Sequence, residues 1–288
     1  MTVLLTGASG FLGRHVLQLL LAEGHKVIAV GRNPNFPLSP QVSFVQADLV
    51  DLSAQSLGWA KLDAVLHLAA AGVKAAQRQW TTALRTNIAG SFRLLSLIAT
   101  QARPHTTVFL GGTYYERFAA TNAYFAENPY IATKATFSCL AETWAESHAG
   151  PVVLGSIFQA YGPGDDPGNV LSYAARCFRQ RETAVIGSGI APRDWIYVAD
   201  AARAILRAVH CQKAGIHHWD IGTGSLSTLK EMVLTLAEVA GAGPEAVRFD
   251  PSRDRPDQFK PIAALRMPPG WRALLSNREG LEKLLASL

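Results

Sequence analysis

Val3-Leu4-Leu5-Thr6-Gly7-Ala8-Ser9-Gly10-Phe11-Leu12-Gly13 places a short apolar run directly before three glycines spaced by three, and a helical apolar stripe follows. Each glycine has its own steric task in a strand-to-helix turn. Gly7 permits the sharp exit from the strand, Gly10 lets bare backbone approach a pyrophosphate, and Gly13 lets the helix lie close on the sheet. The helix N-terminus offers free N–H groups and partial positive charge where phosphates would sit. Glycines at this spacing also occur in ordinary turns; the strand before and the helix after turn this set into a dinucleotide cradle.

Working outward, 288 residues is near the upper limit for one hydrophobic core, so one large domain with a smaller attached lobe is expected. Hydrophobic residues make up 49% of the chain and charged residues 17%, which excludes a disordered chain and favours a compact enzyme-like globule. The apolar stretches are strand-length, far short of the roughly 20 residues of a membrane span, so no membrane partner is expected. Residues 1–6 enter the fold without a basic leader; no signal peptide is read, and the expected location is cytoplasmic. Cys139, Cys177 and Cys211 are widely scattered and read as core thiols, with no metal or disulfide pattern. The net charge is +5, but Lys and Arg are dispersed, which points to a small anionic ligand rather than nucleic acid.

Apolar periodicity alternates between strand and helix, the pattern of a doubly wound parallel sheet built from βαβ units. Strands are expected at Lys26–Val30, Val42–Val45, Ala64–Leu68, Thr107–Leu110 (ending in Gly111-Gly112), Pro151–Phe158 and near His217–Ile221. Helices are expected at Phe11–Glu23, Ala83–Ala102, Pro129 to about His148, Val170–Gln180, Ala199–His210 and Thr228–Ala240. The alternation loosens after Phe158. This predicts an α/β Rossmann domain over 1–160 plus parts of 195–225, with a smaller C-terminal lobe over 161–194 and 225–288. The Pro- and Arg-rich stretch Pro251–Trp271 reads as a substrate-side excursion or a surface wrap.

Tyr130-Ile131-Ala132-Thr133-Lys134 names the chemistry. Spacing of four puts Tyr130 and Lys134 on one helix face. A cation about 4 Å from a phenolate is worth about 4 kcal/mol at an effective dielectric of about 20, enough to bring a tyrosine, ordinarily near pH 10, toward neutrality. Thr113, just past the Gly111-Gly112 pair, adds a hydroxyl that can orient a substrate oxygen. Hydroxyl, phenol and ammonium beside a dinucleotide cradle form a proton-transfer set for carbonyl–alcohol interconversion.

With these residues the chain resembles the extended short-chain dehydrogenase/reductase family over nearly its whole length. The resemblance rests on Thr6–Gly13, Asp48-Leu49, His67-Leu68-Ala69-Ala70, Asn87, the Thr113/Tyr130/Lys134 triad, Tyr161-Gly162-Pro163-Gly164 and Arg193-Asp194-Trp195-Ile196-Tyr197-Val198. It implies that Gly7, Ser9, Gly10, Phe11, Leu12 and Gly13 hold the cofactor phosphates, that Asp48 and Leu49 flank the adenine, and that Leu68, Ala69 and Ala70 line the cofactor. Lys134 would also hold the nicotinamide ribose beside Tyr130. Within the family the chain looks most like the branch acting on nucleotide-diphospho-sugars. Arg193 matches the arginine that grips the substrate diphosphate, and Arg255, in Asp254-Arg255-Pro256-Asp257, resembles a second one; guanidinium forks suit phosphate oxygens. Gln159 stands where many relatives place an asparagine, and Asn169 is a further substrate candidate, although an Asn in a Gly-rich turn commonly just makes the turn. The family also implies a homodimer through a four-helix interface formed by Ala83–Ala102 and Pro129–His148.

The strand Val27–Val30 runs into Gly31-Arg32-Asn33, with no acidic residue for a ribose 2′-hydroxyl, whereas Arg32, with Arg14 nearby, would welcome a 2′-phosphate. NADP(H) is therefore favoured over NAD(H), and with it net reduction. Dehydratases of this branch follow the threonine with Asp-Glu; here Tyr114-Tyr115-Glu116 follows Thr113. The expected activity is NADPH-dependent reduction of a keto group on a nucleotide-diphospho-(deoxy)sugar. The alternatives are a nucleotide-sugar 4-epimerase or dehydratase recycling its cofactor, a reductase of a non-sugar ketone, and a non-enzymatic NADP-binding redox sensor. His67 reads as a satisfied structural histidine, the other histidines show no metal-ligand spacing, and Asn87 reads as structural.

Overall fold

The computed structural model describes residues 1–33, 39–74, 78–119, 127–254 and 261–288. The chain divides into two compact units, one of Met1–Ile157 with Ala202–Trp219, the other of Phe158–Ala201 with Asp220–Leu288.

In the first unit, β1 (Thr2–Thr6), β2 (Lys26–Gly31), β3 (Val42–Gln46), β4 (Ala64–His67), β5 (Thr107–Thr113) and β6 (Pro151–Ile157) lie in one sheet with strand Gly215–Ile221. Its spatial order is β3-β2-β1-β4-β5-β6 and then 215–221, and β1 pairs in parallel with both β2 and β4. The order reverses between β1 and β4, the crevice at which doubly wound sheets bind ligands beyond their strand C-termini. Val3, Leu4, Leu5, Val65, Leu66, Val108 and Phe109 are fully buried, the near-continuous apolar runs of a parallel sheet covered on both faces.

Two elements differ from the sequence expectation. The strand expected to end at the Gly111-Gly112 pair continues to Thr113, because Gly111, Gly112 and Thr113 pair in register with Gly155, Ser156 and Ile157. The helix expected over Ala83–Ala102 begins at Trp80 and widens into a π-helical stretch, Leu84–Gly90, before Ser91–Gln101. Asn87 sits in that stretch. Its Oδ1 accepts from the Ala71 amide, and its Nδ2 donates to the Ala71 carbonyl and to Thr133 Oγ1. A widened turn at such a crosslink is a common use of π geometry. Pro129–Ala145 forms the next helix, with Pro129 in its first turn and Asn128 Oδ1 accepting from the Tyr130 amide.

In the second unit, Gln159–Tyr161 and Leu226–Thr228 flank strand Pro192–Tyr197, Ala184–Ile186 pairs with Val247–Phe249, and helices Val170–Arg179, Leu229–Val239 and Asn277–Ala286 pack around them. Helix Asn277–Ala286 and all five of these strands were not expected from the sequence: four of the strands have only three residues, too short for periodicity, Pro192–Tyr197 reads as a motif and not as a strand, and the helix is mostly polar. Buried aspartates fasten the C-terminal stretch. Asp194 accepts from the amides of Thr223, Gly224 and Ala264 and from the Thr223 hydroxyl; Asp220 accepts from Leu265 and Arg266; Asp200 accepts from Leu274 and Leu275. Backbone that forms neither helix nor strand is thereby satisfied. No helix among the described residues is long and apolar enough to cross a membrane.

His67 closes β4 with both ring nitrogens engaged. Ser91 donates its hydroxyl proton to the Thr86 carbonyl and so accepts from His67 Nε2, while Nδ1 accepts from Thr6 Oγ1. This network assigns the Nε2–H tautomer. Burial, with the Lys134 ammonium nearby, pushes His67 down to about 3. The unfolded ring takes up a proton near pH 6.5 and the folded one does not until about pH 3, so its contribution is complete above 6.5 and is lost as pH falls below it. In denaturant titrations, His67→Gln should flatten the decline in stability between pH 6 and 4 by about 1.4 kcal/mol per pH unit. Parallel declines for the two proteins would contradict this.

Candidate active site

The glycine turn has the close contacts its sequence demands. Gly7 has φ +75°, and a Cβ there would stand 2.7 Å from the Ala69 amide nitrogen and from the Leu68 carbonyl carbon. At Gly13 a Cβ would meet the Gly7 carbonyl oxygen at 2.0 Å, so no side chain is admissible. Gly10, whose amide donates to the Gly7 carbonyl, is the N-cap of helix Phe11–Ala22; no side chain caps it and its first turn carries no acid. Amides of that first turn are open to an anion. Arg14 Nε donates to the Ser9 carbonyl, which brings its guanidinium to the same turn.

The other cofactor candidates gather at the C-terminal ends of neighbouring strands. Arg32 is exposed directly after β2. Asp48 and Leu49 follow β3; Leu49 is buried, and Asp48 accepts from the Val50 amide and pairs with Arg85 at 3.3 Å. Leu68, Ala69 and Ala70 follow β4, with the Ala69 amide donating to Thr6 Oγ1.

Thr113 ends β5, and its hydroxyl hydrogen-bonds the Tyr130 phenol. Lys134 is only 3% exposed; its Nζ donates to the Gly111 carbonyl at 2.5 Å and lies 5.5 Å from the Phe137 ring centroid. The helix therefore brings Tyr130 and Lys134 to the end of β5, as their spacing requires. The electrostatics differ from the expectation. Withdrawal from water, with the Glu116 carboxylate adding to it, holds the phenol well above its ordinary value, against smaller downward pulls from Thr113 and Arg78. The Lys134 ammonium is directed at the Gly111 carbonyl, and burial lowers its own value. The phenol in this geometry is held in its protonated form.

Glu116 is the residue whose role the sequence underestimated. Its Oε1 accepts from the Thr113 amide at 2.7 Å and its Oε2 from the Ser138 hydroxyl at 2.6 Å, closing a capping box on the short helix Tyr114–Phe118. The signal was present as an acid three residues after a threonine, the spacing of a capping box. Ser138, one turn beyond Lys134, and Arg78 carried no signal of their own.

The substrate candidates belong to the second unit. Gln159 and Arg193 are half-buried on adjacent strands, Gln159 paired with Trp195 and Arg193 with Ser227. Asn169 is exposed, and its Nδ2 donates to Asp165 Oδ1 at 2.7 Å, so its donor is used in the turn. Arg255 lies outside the described residues.

Comparison with known proteins places this geometry. A profile of the NAD dependent epimerase/dehydratase family matches residues 3–222. The chain is 28% identical to a UDP-glucose 4-epimerase of Mycolicibacterium smegmatis over 98% of this chain and 97% of that protein. It is 27% identical to a GDP-6-deoxy-D-mannose reductase of Pseudomonas aeruginosa, over 98% of this chain and 95% of that one. Among solved structures, MoeE5 in complex with UDP-glucuronic acid and NAD aligns with a TM-score of 0.83 and 27% identity, covering 100% of this chain and 98% of that one. The chain belongs to the NAD dependent epimerase/dehydratase family and is a nucleotide-sugar-modifying enzyme of the extended short-chain dehydrogenase/reductase type.

Proposed function

We propose that the protein reduces a keto group on a nucleotide-diphospho-(deoxy)sugar with NADPH. The observation that carries this reading is the end of β2, where Arg32 stands exposed and the sequence places no acidic residue, an arrangement suited to a cofactor 2′-phosphate and so to NADPH-driven net reduction. In the proposed reaction the cofactor, once bound in the Gly7–Gly13 cradle, supplies hydride to the keto carbon. Tyr130 gives its proton to the oxygen, Thr113 orients that oxygen, and Lys134 holds the ribose.

Glu116 supports the choice against elimination. Both of its carboxylate oxygens are engaged, one by the Thr113 amide and one by Ser138, so it serves as a tether for Thr113 and not as a free acid or base toward a sugar. Resemblance to a GDP-6-deoxy-D-mannose reductase is in keeping with reduction. The second reading, a 4-epimerase, is favoured by the likeness to UDP-glucose 4-epimerase and by the NAD bound in MoeE5. On the substrate side, Arg193 is assigned to the diphosphate, with Gln159 and Asn169 beside the sugar nucleotide; Arg255 is assigned with Arg193 on its sequence alone.

Three expected outcomes test these assignments. Tyr130→Phe should lower turnover of a keto-deoxysugar nucleotide by at least about 100-fold, the usual worth of a general acid, with NADPH binding retained; near-normal turnover would remove Tyr130 from the mechanism. Fluorescence titration should show tighter binding of NADPH than of NADH, a preference that collapses in Arg32→Asp, while preference for NADH or cofactor that cannot be stripped would move the epimerase to first place. We also assign a homodimer to the helical stretch Trp80–Gln101 and helix Pro129–Ala145, which expose Trp80, Leu84, Phe92 and Leu140. Analytical ultracentrifugation should give twice the chain mass, and a monomer at all concentrations would exclude the dimer.

A further inference from the structure

We infer that the first unit carries a divalent-metal site of the zinc type, formed by Glu23, His25 and His210 at the N-terminal edge of the sheet. The site is independent of the reaction proposed above. Its first two ligands come from one tight turn. Helix Phe11–Ala22 ends with the amides of Glu23, Gly24 and His25 donating back to Leu19, Leu21 and Leu20, and Gly24 takes the left-handed conformation at φ +75°. The chain reverses within two residues, which brings the Glu23 carboxylate and the His25 ring together at the start of β2. His210 arrives from far along the chain, at the end of the short helix Arg207–His210.

The distances accommodate a metal ion in place of the two hydrogen bonds that the histidines make to Glu23. A single carboxylate oxygen, Glu23 Oε2, lies 3.2 Å from His25 Nε2 and 3.3 Å from His210 Nε2. Charge-assisted N–H···O bonds favour about 2.7–2.9 Å. Ligands at zinc bond lengths of about 2.0–2.1 Å on a tetrahedron are separated by about 3.3–3.4 Å, which matches both contacts. All three ligand atoms lie within 4.8 Å of one another, and the two imidazoles are inclined at 47° with centroids 6.0 Å apart.

Two imidazoles and one carboxylate favour zinc over calcium or magnesium, which prefer all-oxygen sites. His25 is fixed, with its side chain only 7% exposed, while Glu23 at 44% and His210 at 51% are free to adjust and leave room for water as the fourth ligand. His25 Nδ1 is buried without a hydrogen-bond partner, so no neighbour orients the ring or strengthens it as a ligand. Such partners are worth about 10–100-fold in affinity, so binding in the micromolar range is expected rather than the tightest zinc binding. Zinc bound there would pin the Glu23–His25 turn to His210, 187 residues from Glu23.

The test uses the untagged full chain, stripped with chelator and titrated with zinc chloride in a calorimeter, beside His210→Ala and Glu23→Gln. Both substitutions are at half-exposed side chains outside the catalytic set, so folding and turnover should be unaffected. The expected result is one saturable zinc per chain, weakened at least about tenfold in each variant. Zinc should raise the melting temperature of the parent but not of His210→Ala, and cobalt in place of zinc should give the intense visible bands of a four-coordinate site. No saturable zinc binding, or equal binding by parent and both variants, would overturn the assignment.

Discussion

Burial of the Lys134 ammonium is the constraint around which the active end of the sheet is arranged. A cation removed from water needs oxygen or π partners within reach, and Lys134 finds the Gly111 carbonyl and the face of Phe137. Glycine at 111 is what leaves room beside that carbonyl, since a Cβ there would stand 3.0 Å from the Leu68 side chain and 3.2 Å from the His67 carbonyl oxygen. At 112 a Cβ would meet the Glu116 carboxylate at 2.9 Å. The glycine pair thus lets β5 carry a buried cation partner and a carboxylate tether within two residues. His67, on the adjacent strand, has to stay neutral beside the cation, and its two hydroxyl partners fix it in that form.

The same constraint separates positioning from chemistry. Asn87 ties the segment after β4 to Thr133 on the catalytic helix, and Glu116 ties the end of β5 to Ser138 one turn beyond Lys134. Thr133 hydroxyl also donates to the Pro129 carbonyl, so the first turn of that helix is clamped at both ends. A preorganised hydroxyl–phenol pair follows from these crosslinks, and preorganisation of donors at the developing charge is what an enzyme site must supply. The Glu116 carboxylate also raises the cost of a phenolate, which keeps the Tyr130 phenol protonated at rest.

Much of this was legible in the chain because steric and periodic signals are local. The glycine turn, the Tyr130–Lys134 spacing and the parallel sheet all follow from patterns within a few residues. Where the reading fell short, the cause was a long-range partner. Lys134 was expected beside Tyr130 and the cofactor ribose, yet its ammonium donates to the Gly111 carbonyl, 23 positions back on β5. Glu116 reads in the chain only as a displaced acid: its capping-box spacing to Thr113 is there to see, but its second partner, Ser138, is 22 residues away. The helix begins at Trp80 and takes π geometry around Asn87, whose contacts with Ala71 and Thr133 no helical period encodes. His25 and His210 likewise showed no ligand spacing, since the turn at Gly24 and a distant short helix create it.

The segment Arg193-Asp194-Trp195-Ile196-Tyr197-Val198-Ala199-Asp200 shows how a motif can carry two kinds of information at once. Its two acids are buried and serve the backbone: Asp194 gathers amides from Thr223, Gly224 and Ala264, and Asp200 those of Leu274 and Leu275. A carboxylate accepts from several N–H groups where a carbonyl accepts from two, so it is the economical way to terminate loop backbone that has no ladder. Trp195 and Ile196 fill the core between them, with the Trp195 indole donating to the Ser227 carbonyl. The two acids and the aromatic residue of this motif therefore answer to folding, so the segment's resemblance to a family motif is not by itself a reason to read each of its residues as binding.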